Sequence, residues 1–357
     1  VFSKPQSPDI PGVDDFAGET VHTARWRHDL DLTGKRVGVI GTGASAVQVV
    51  PAIAAEVERL TVFQRTPIWC LPKPDRPIDG LGGWALEKLP GAQLASRFAS
   101  QLFVELTFPL AAHFDGVIPL GKAGEKLARR LLREQVADPE VRKKLTPRYG
   151  LGCKRPGFSN DYLATFNRDN VELETTGVEA ITADGVRTAA GDLHELDVLV
   201  LATGFKVFDE ENMPPYPVRG RGGVELGAWW GEYRFQAYEG VSVPGFPNLF
   251  TILGPYGYNG ASYFQLIETQ MRHICRCLRH TRSEGATLVE IRRDANDRYL
   301  EQMLGRRGNQ IFFQGTCEGS NSYYFDRHGD VPFRASPSIE THLRSARFDL
   351  DDYRYEQ

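Results

Sequence analysis

No stretch of this 357-residue chain is apolar for long enough to cross a bilayer. The longest candidate, Leu102 to Phe114, is broken by Glu105 and Pro109, whereas a spanning helix needs about 20 consecutive apolar residues. It reads instead as a buried or pocket-lining helix. Neither sign of charge dominates: the net charge is −4, with both signs mixed along the chain, so neither nucleic acid nor an anionic membrane is expected as a partner. The five cysteines, Cys70, Cys153, Cys275, Cys277 and Cys317, show neither the spacing of a disulfide framework nor that of a zinc site. Reduced thiols in a cytoplasmic setting are the expectation, and no metal is assigned. Internal repeats and long low-complexity tracts are missing as well. The 41% apolar and 25% charged residues are those of a globular protein long enough for two domains.

What is present begins with GKRVGVIGTGASAVQVVPAIA, from Gly34 to Ala54. Arg36 to Ile40 is a β-branched apolar run without helical period, as for a strand buried on both faces. Gly41 then makes the tight turn, Gly43 lets the backbone approach a pyrophosphate, and Ala46 keeps helix and strand close. The N–H groups at the helix start, over Thr42, Gly43, Ala44 and Ser45 with Gln48 one turn on, would face the anion. A second strand follows about 20 residues later at LTVFQRT, Leu60 to Thr66. Its tip holds Gln64, Arg65 and Thr66, with no acid to hydrogen-bond the ribose 2′-OH of NAD. An arginine there can meet the 2′-phosphate of NADP, so the expected cofactor is NADPH.

Val1 to Asp15 is an extended approach containing Pro5, Pro8 and Pro11. Helical stretches at Leu86–Phe108 and Gly121–Val136, with Pro and Gly breaks between them, predict an insertion over about 72–150. Strand signals return at Val171–Thr175, Glu179–Thr182 and Val186–Thr188, and Asp197–Ala202 reads DVLVLA. They predict a small antiparallel ribbon followed by a buried parallel strand. Thr203 and Gly204 close that strand. Further on, a strand at Leu249–Leu253, a turn carrying Gly254 and Pro255, and a helix from about Ser262 to His280 could aim a helix N-terminus at a cofactor; a plain αβ connection reads equally well. The expected fold class is α/β. A Rossmann-like NADPH-binding domain with a helical insertion spans 34–204, the C-terminal part of a second, FAD-type nucleotide-binding domain spans 205–357, and residues 1–33 form a linker.

Phe16-Ala-Gly18-Glu-Thr-Val-His22-Thr-Ala-Arg-Trp26 fits an FxGxxxHxxxW pattern directly ahead of the glycine fingerprint. With VFQRTPIW (62–69), CKRP (153–156), DYLATFNRDNVEL (161–173), LATGF (201–205) and SYYFDRHGDVP (322–332), the chain resembles the class B flavoprotein monooxygenases of the Baeyer–Villiger type. The pattern's next residue, usually Pro or Asp, is here Arg27. Family members open with an FAD-binding strand and GxGxxG. That opening is not found here and the chain starts with Val1, so the expectation is an amino-terminally truncated member.

The resemblance implies an NADPH- and FAD-dependent enzyme that inserts one oxygen atom of O₂ into a ketone through a C4a-peroxyflavin, giving an ester or lactone. It implies that Arg155 is the catalytic arginine beside the flavin and that Lys154, with Arg65 and Thr66, holds the 2′-phosphate. His22 and Trp26 would pack between domains and couple their motion to the redox cycle, although a structural histidine and a buried tryptophan explain them nearly as well. Two alternatives stand beside this: oxygenation at a sulfide or amine by a related flavin monooxygenase, and an NADP-binding module inactive without the FAD segment.

Overall fold

The structure, a computed structural model, describes residues 4–75, 77–117, 121–207 and 216–357. In chain order the strands are β1 (Glu19–His22), β2 (Arg36–Ile40), β3 (Arg59–Phe63), β4 (Cys70–Leu71), β5 (Gly157–Phe158), β6 (Val171–Glu174), β7 (Val178–Thr182), β8 (Gly185–Thr188), β9 (Leu193–Glu195), β10 (Val198–Leu201), β11 (Leu288–Ile291) and β12 (Tyr353–Glu356). The helices are α1 (Ala44–Ile53), α2 (Gly80–Lys88), α3 (Ala92–His113), α4 (Gly121–Gln135), α5 (Pro139–Leu145), α6 (Tyr162–Thr165), α7 (Leu226–Tyr233), α8 (Tyr263–Ser283), α9 (Arg293–Arg306) and α10 (Ser338–Arg347). No helix among the described residues is long and apolar enough to cross a membrane.

The chain divides into two compact units. One comprises Val1–Asp75, Gly121–Val207 and Glu318–Ser322, and the other Arg76–Leu120, Phe208–Cys317 and Tyr323–Gln357. The stretch 72–150, expected as one insertion, is thus shared between them. Its first part, with α2 and α3, goes to the second unit, and its later part, with α4 and α5, goes to the first. Residues 318–322 return to the first unit, which pattern reading along the chain did not anticipate.

The first unit is built on a five-stranded parallel sheet in the order β1-β10-β2-β3-β6. Its central strands are buried on both faces, Val198–Leu201 entirely so, which is why they read as unbroken apolar runs. α1 lays Ala46, Val47, Val50 and Ile53 on the sheet, against Val37, Val39, Leu60 and Val62. Each fully buried aliphatic side chain contributes roughly 1.5–3 kcal/mol. From β2 the chain runs through α1 to β3 on one side, while β10 takes the other side of β2. The order therefore reverses between β2 and β10, and crevices for ligands form outside the carboxyl ends of strands at such a reversal.

Two strand expectations need correction. Val171–Glu174 does not join the antiparallel ribbon; it pairs parallel with β3 at the sheet edge, held there by Asn170, whose Nδ2 donates to Ala54 O and Val57 O. The ribbon is β7-β8-β9, with Leu193–Glu195 as its third strand. β1, expected as linker, is the opposite sheet edge.

In the second unit β11 and β12 form an antiparallel pair over Tyr238, Cys277, Tyr299 and Met303. Leu249–Leu253 is not a strand. Asn248 and Leu253 at its ends have φ of 59° and 56°, and its backbone donors go elsewhere: Thr251 N to Val241 O and Leu253 N to Gln270 Oε1.

Candidate functional site

Gly41 leaves β2 with φ of 112°, and a Cβ there would lie 2.5 Å from Ala202 O at the end of β10. The two strands approach so closely at the reversal that only glycine fits. Gly43, two residues on, is the N-cap of α1; it supplies no side-chain cap, and no acid occupies the first turn. The space beside Gly43 is open to at least 4 Å. The helix start is thus a positive dipole end with unobstructed backbone N–H groups, the arrangement that binds a phosphate. Ala46 is fully buried, as the close helix–strand contact requires. Thr42 Oγ1 donates to Thr66 O at 2.7 Å, tying the glycine loop to the tip of β3. Gln48 folds back onto α1, its Nε2 bonded to Ala44 O. Gly41→Ala should destabilise the protein by roughly 2–4 kcal/mol through left-handed strain plus overpacking. Gly43→Ala should stay within about 1 kcal/mol, which paired urea denaturations would check.

At the end of β3, Gln64 is buried and structural: its N–H bonds Glu174 O and its Nε2 bonds Lys144 O. Arg65, beside it, is exposed. The loop carrying Lys154 and Arg155 is brought here by a set of backbone and side-chain hydrogen bonds. β4 pairs parallel with β5, Gly157 N donates to Trp69 O, Trp69 Nε1 donates to Tyr149 O, and Tyr149 Oη donates to Pro67 O, the last two at 2.8 Å. Lys154 Nζ sits over the Tyr149 ring, 5.8 Å from its centre. Its ammonium is held below the ordinary lysine range by burial and then by the positive charge of Arg65. Sequence-distant Arg65 and Lys154 are thus within electrostatic reach of one another, and neither has a carboxylate partner among the described residues. Arg155 is exposed on the same loop, likewise without an ion pair among them. A contact that sequence reading missed is Asn321, whose Nδ2 reaches Thr66 Oγ1 at 3.4 Å.

At the end of β10, Thr203 Oγ1 donates to Gln6 O, and Gly204, with φ of 84°, accepts from Gln6 N at 2.9 Å. His22 Nδ1 accepts from Ala24 N at 3.0 Å, which leaves the proton of the neutral ring on Nε2, facing Thr203 Oγ1 at 3.4 Å. Burial keeps this imidazole below its ordinary pKa of 6.5. Trp26 packs on the core of the first unit. Gly254 and Pro255 belong to the second unit. There Gly254 N bonds Gly240 O, and Ser262, the residue before α8, makes no side-chain cap.

Taken together, the sheet order, the glycine turn and the open helix start define an α/β dinucleotide-binding unit. Comparison with known proteins carries this further, although no family model matches the chain. It is 35% identical over 323 residues to a Baeyer-Villiger monooxygenase of Pseudomonas aeruginosa, covering 89% of this chain and 59% of the relative. To a Baeyer-Villiger monooxygenase of Streptomyces coelicolor it is 35% identical over 356 residues, covering 99% of this chain and 67% of that one. The crystal structure of OTEMO in complex with FAD and NADP superposes with a TM-score of 0.83 at 26% identity, over 99% of this chain and 74% of that one. The chain belongs to the class B flavoprotein monooxygenases of the Baeyer–Villiger type. It spans about three fifths of the Pseudomonas relative's length.

Proposed function

We propose that the chain binds NADPH at the β2–α1 turn and, with FAD, oxygenates a ketone to an ester or lactone. What supports the reading is that the charge of Arg65 bears on Lys154 and that the tip of β3 carrying Arg65 is tied to the glycine turn through Thr66 and Thr42. Two unneutralised cations at the tip of β3, next to a helix start that favours a pyrophosphate, fit a dinucleotide with one further phosphate. Gly41, Thr42, Gly43, Ala44, Ser45 and Ala46 would cradle the pyrophosphate, and Thr66 would join the two cations at the 2′-phosphate. Thr203 and Gly204 line the far side of the turn.

The chain carries one glycine fingerprint of this kind, which this reading gives to NADPH. Gly254, Pro255 and the start of α8 would offer FAD a helix N-terminus. When bound, FAD supplies the O₂-activating redox chemistry and NADPH the reducing equivalents. The chain's own contribution to oxygen transfer is Arg155. A guanidinium stays charged at any working pH and presents fixed donors, so it can hold an anionic oxygen unprotonated and stabilise the charge that develops on the ketone oxygen during attack.

Arg155→Ala in FAD-loaded protein should lower ester formation by roughly 10²–10³-fold, the usual effect of removing one such donor. NADPH oxidation should continue, with its electrons emerging as hydrogen peroxide. Product analysis on cyclic and aryl ketones, with a sulfide run in parallel, checks this. Undiminished ester formation would remove Arg155 from the site, and product from the sulfide alone would favour heteroatom oxygenation.

A further inference from the structure

Away from the dinucleotide turn, the second unit holds an open cavity of about 230 Å³ between α3, α8 and α10, its rim formed by the exposed Leu94 and Phe98. Side-chain bonds tie the three helices together. Arg97 of α3 grips both oxygens of Glu268 on α8 at 2.9 and 2.8 Å, Glu105 of α3 accepts from Ser338 N at the start of α10, and Ser345 of α10 donates to Thr269 O on α8.

The lining is electrostatically unfinished. Arg97 and Glu268 neutralise one another. Arg272 has no carboxylate among the described residues; its Nη1 lies 2.6 Å from His342 Nε2. Arg272, exposed on α8, so brings a guanidinium without a carboxylate partner to the edge of the cavity. Two buried amide atoms are also unpaired: Gln101 Nε2, a donor, and Gln265 Oε1, an acceptor. Buried polar atoms are nearly always satisfied in folded proteins, so each of these two calls for a partner such as a water, an ion or a ligand group. Leu94 and Phe98 give the cavity an apolar wall.

We infer that this cavity binds a small hydroxycarboxylate. Its carboxylate takes the free N–H groups of Arg272, matching the planar fork, and the amide donor of Gln101. Its hydroxyl donates to Gln265 Oε1, and its methylene chain lies on Leu94 and Phe98. A carboxylate alone leaves the Gln265 acceptor unpaired, and an uncharged diol leaves the Arg272 charge unpaired.

Calorimetric titration of the full chain with 6-hydroxyhexanoate, hexanoate and hexane-1,6-diol tests this. Saturable one-to-one binding of 6-hydroxyhexanoate is expected, with hexanoate about threefold weaker or more and the diol without measurable heat. Arg272→Gln should weaken 6-hydroxyhexanoate roughly tenfold or more, and Gln265→Leu should abolish its advantage over hexanoate. Arg272 is exposed on α8, so an unchanged melting curve separates lost binding from lost folding, and the three-ligand comparison on the unaltered chain needs no variant. Diol binding equal to that of 6-hydroxyhexanoate, or undiminished affinity in Arg272→Gln, overturns the inference.

Discussion

Replacing Arg65 and Lys154 together by alanine should erase the preference for NADPH over NADH. Hydrogen bonds to charged groups contribute about 1.5–3 kcal/mol each, so each single variant should weaken NADPH by roughly ten- to a hundredfold while changing NADH by about threefold at most. The double variant should bind both coenzymes alike. Lys154 strengthens the expectation, because burial and the neighbouring Arg65 disfavour its charged form before any ligand arrives. A dianionic phosphate placed between the two cations relieves that repulsion, so binding of NADPH should weaken with added salt more steeply than that of NADH, and NADPH should draw in protons at alkaline pH. Titrations of both coenzymes at two salt concentrations decide the matter. A double variant that keeps the wild-type NADPH-to-NADH ratio would disprove the assignment of the 2′-phosphate.

The second large effect is on stability. Glu239 is buried in the second unit between two arginines, with its Oε1 2.6 Å from Arg344 Nε and its Oε2 2.5 Å from Arg334 Nη1. Arg334 is itself buried, and its Nε donates to Ser336 Oγ. Glu239→Gln should destabilise the protein by roughly 3–5 kcal/mol, since it strands a guanidinium charge away from water. Burial opposes ionisation of Glu239, but the two guanidinium charges outweigh it and hold the carboxyl below its ordinary range. That contribution is complete above the unfolded carboxyl pKa of about 4.3 and fades as pH falls through the lower folded value. His273, stacked on Phe348 with ring centres 3.7 Å apart, acts in the same direction. Burial lowers its pKa to about 3, so below its ordinary value of 6.5 the unfolded chain takes up a proton that the folded chain refuses. Stability should therefore decline from about pH 6.5 downward, and the Glu239→Gln variant should lose the part of that slope below about pH 4.3. Urea midpoints across pH 3–8 for both proteins provide the measurement.

These cases show which parts of the molecule could be read from the residues. The β2–α1–β3 unit was legible because strand, turn and helix are contiguous and each carries its own periodicity. The apolar run of β10 was legible because burial on both faces leaves no polar position. Pairing partners were not. β1 is four residues with an exposed first half, and β6 alternates Val, Glu, Leu, Glu, so nothing local says that both complete a parallel sheet rather than a linker and a ribbon. Leu249–Leu253 shows the converse, a strand-like composition that forms no ladder because its donors are taken by Val241 and Gln270. Arg65 and Lys154 could be linked only through the family resemblance; their physical connection runs through Trp69, Tyr149 and Gly157, whose bonds no spacing rule encodes. The Glu239 cluster joins residues about a hundred positions apart and left no trace in local pattern.

The strand Glu19–His22 comes from ahead of the glycine turn, yet it covers the flank of Val198–Leu201. Without that cover β10 would itself become the edge of the sheet. The bared rim of β10, apolar on both faces and lined with unpaired amides, would then offer other molecules a template for intermolecular strand addition.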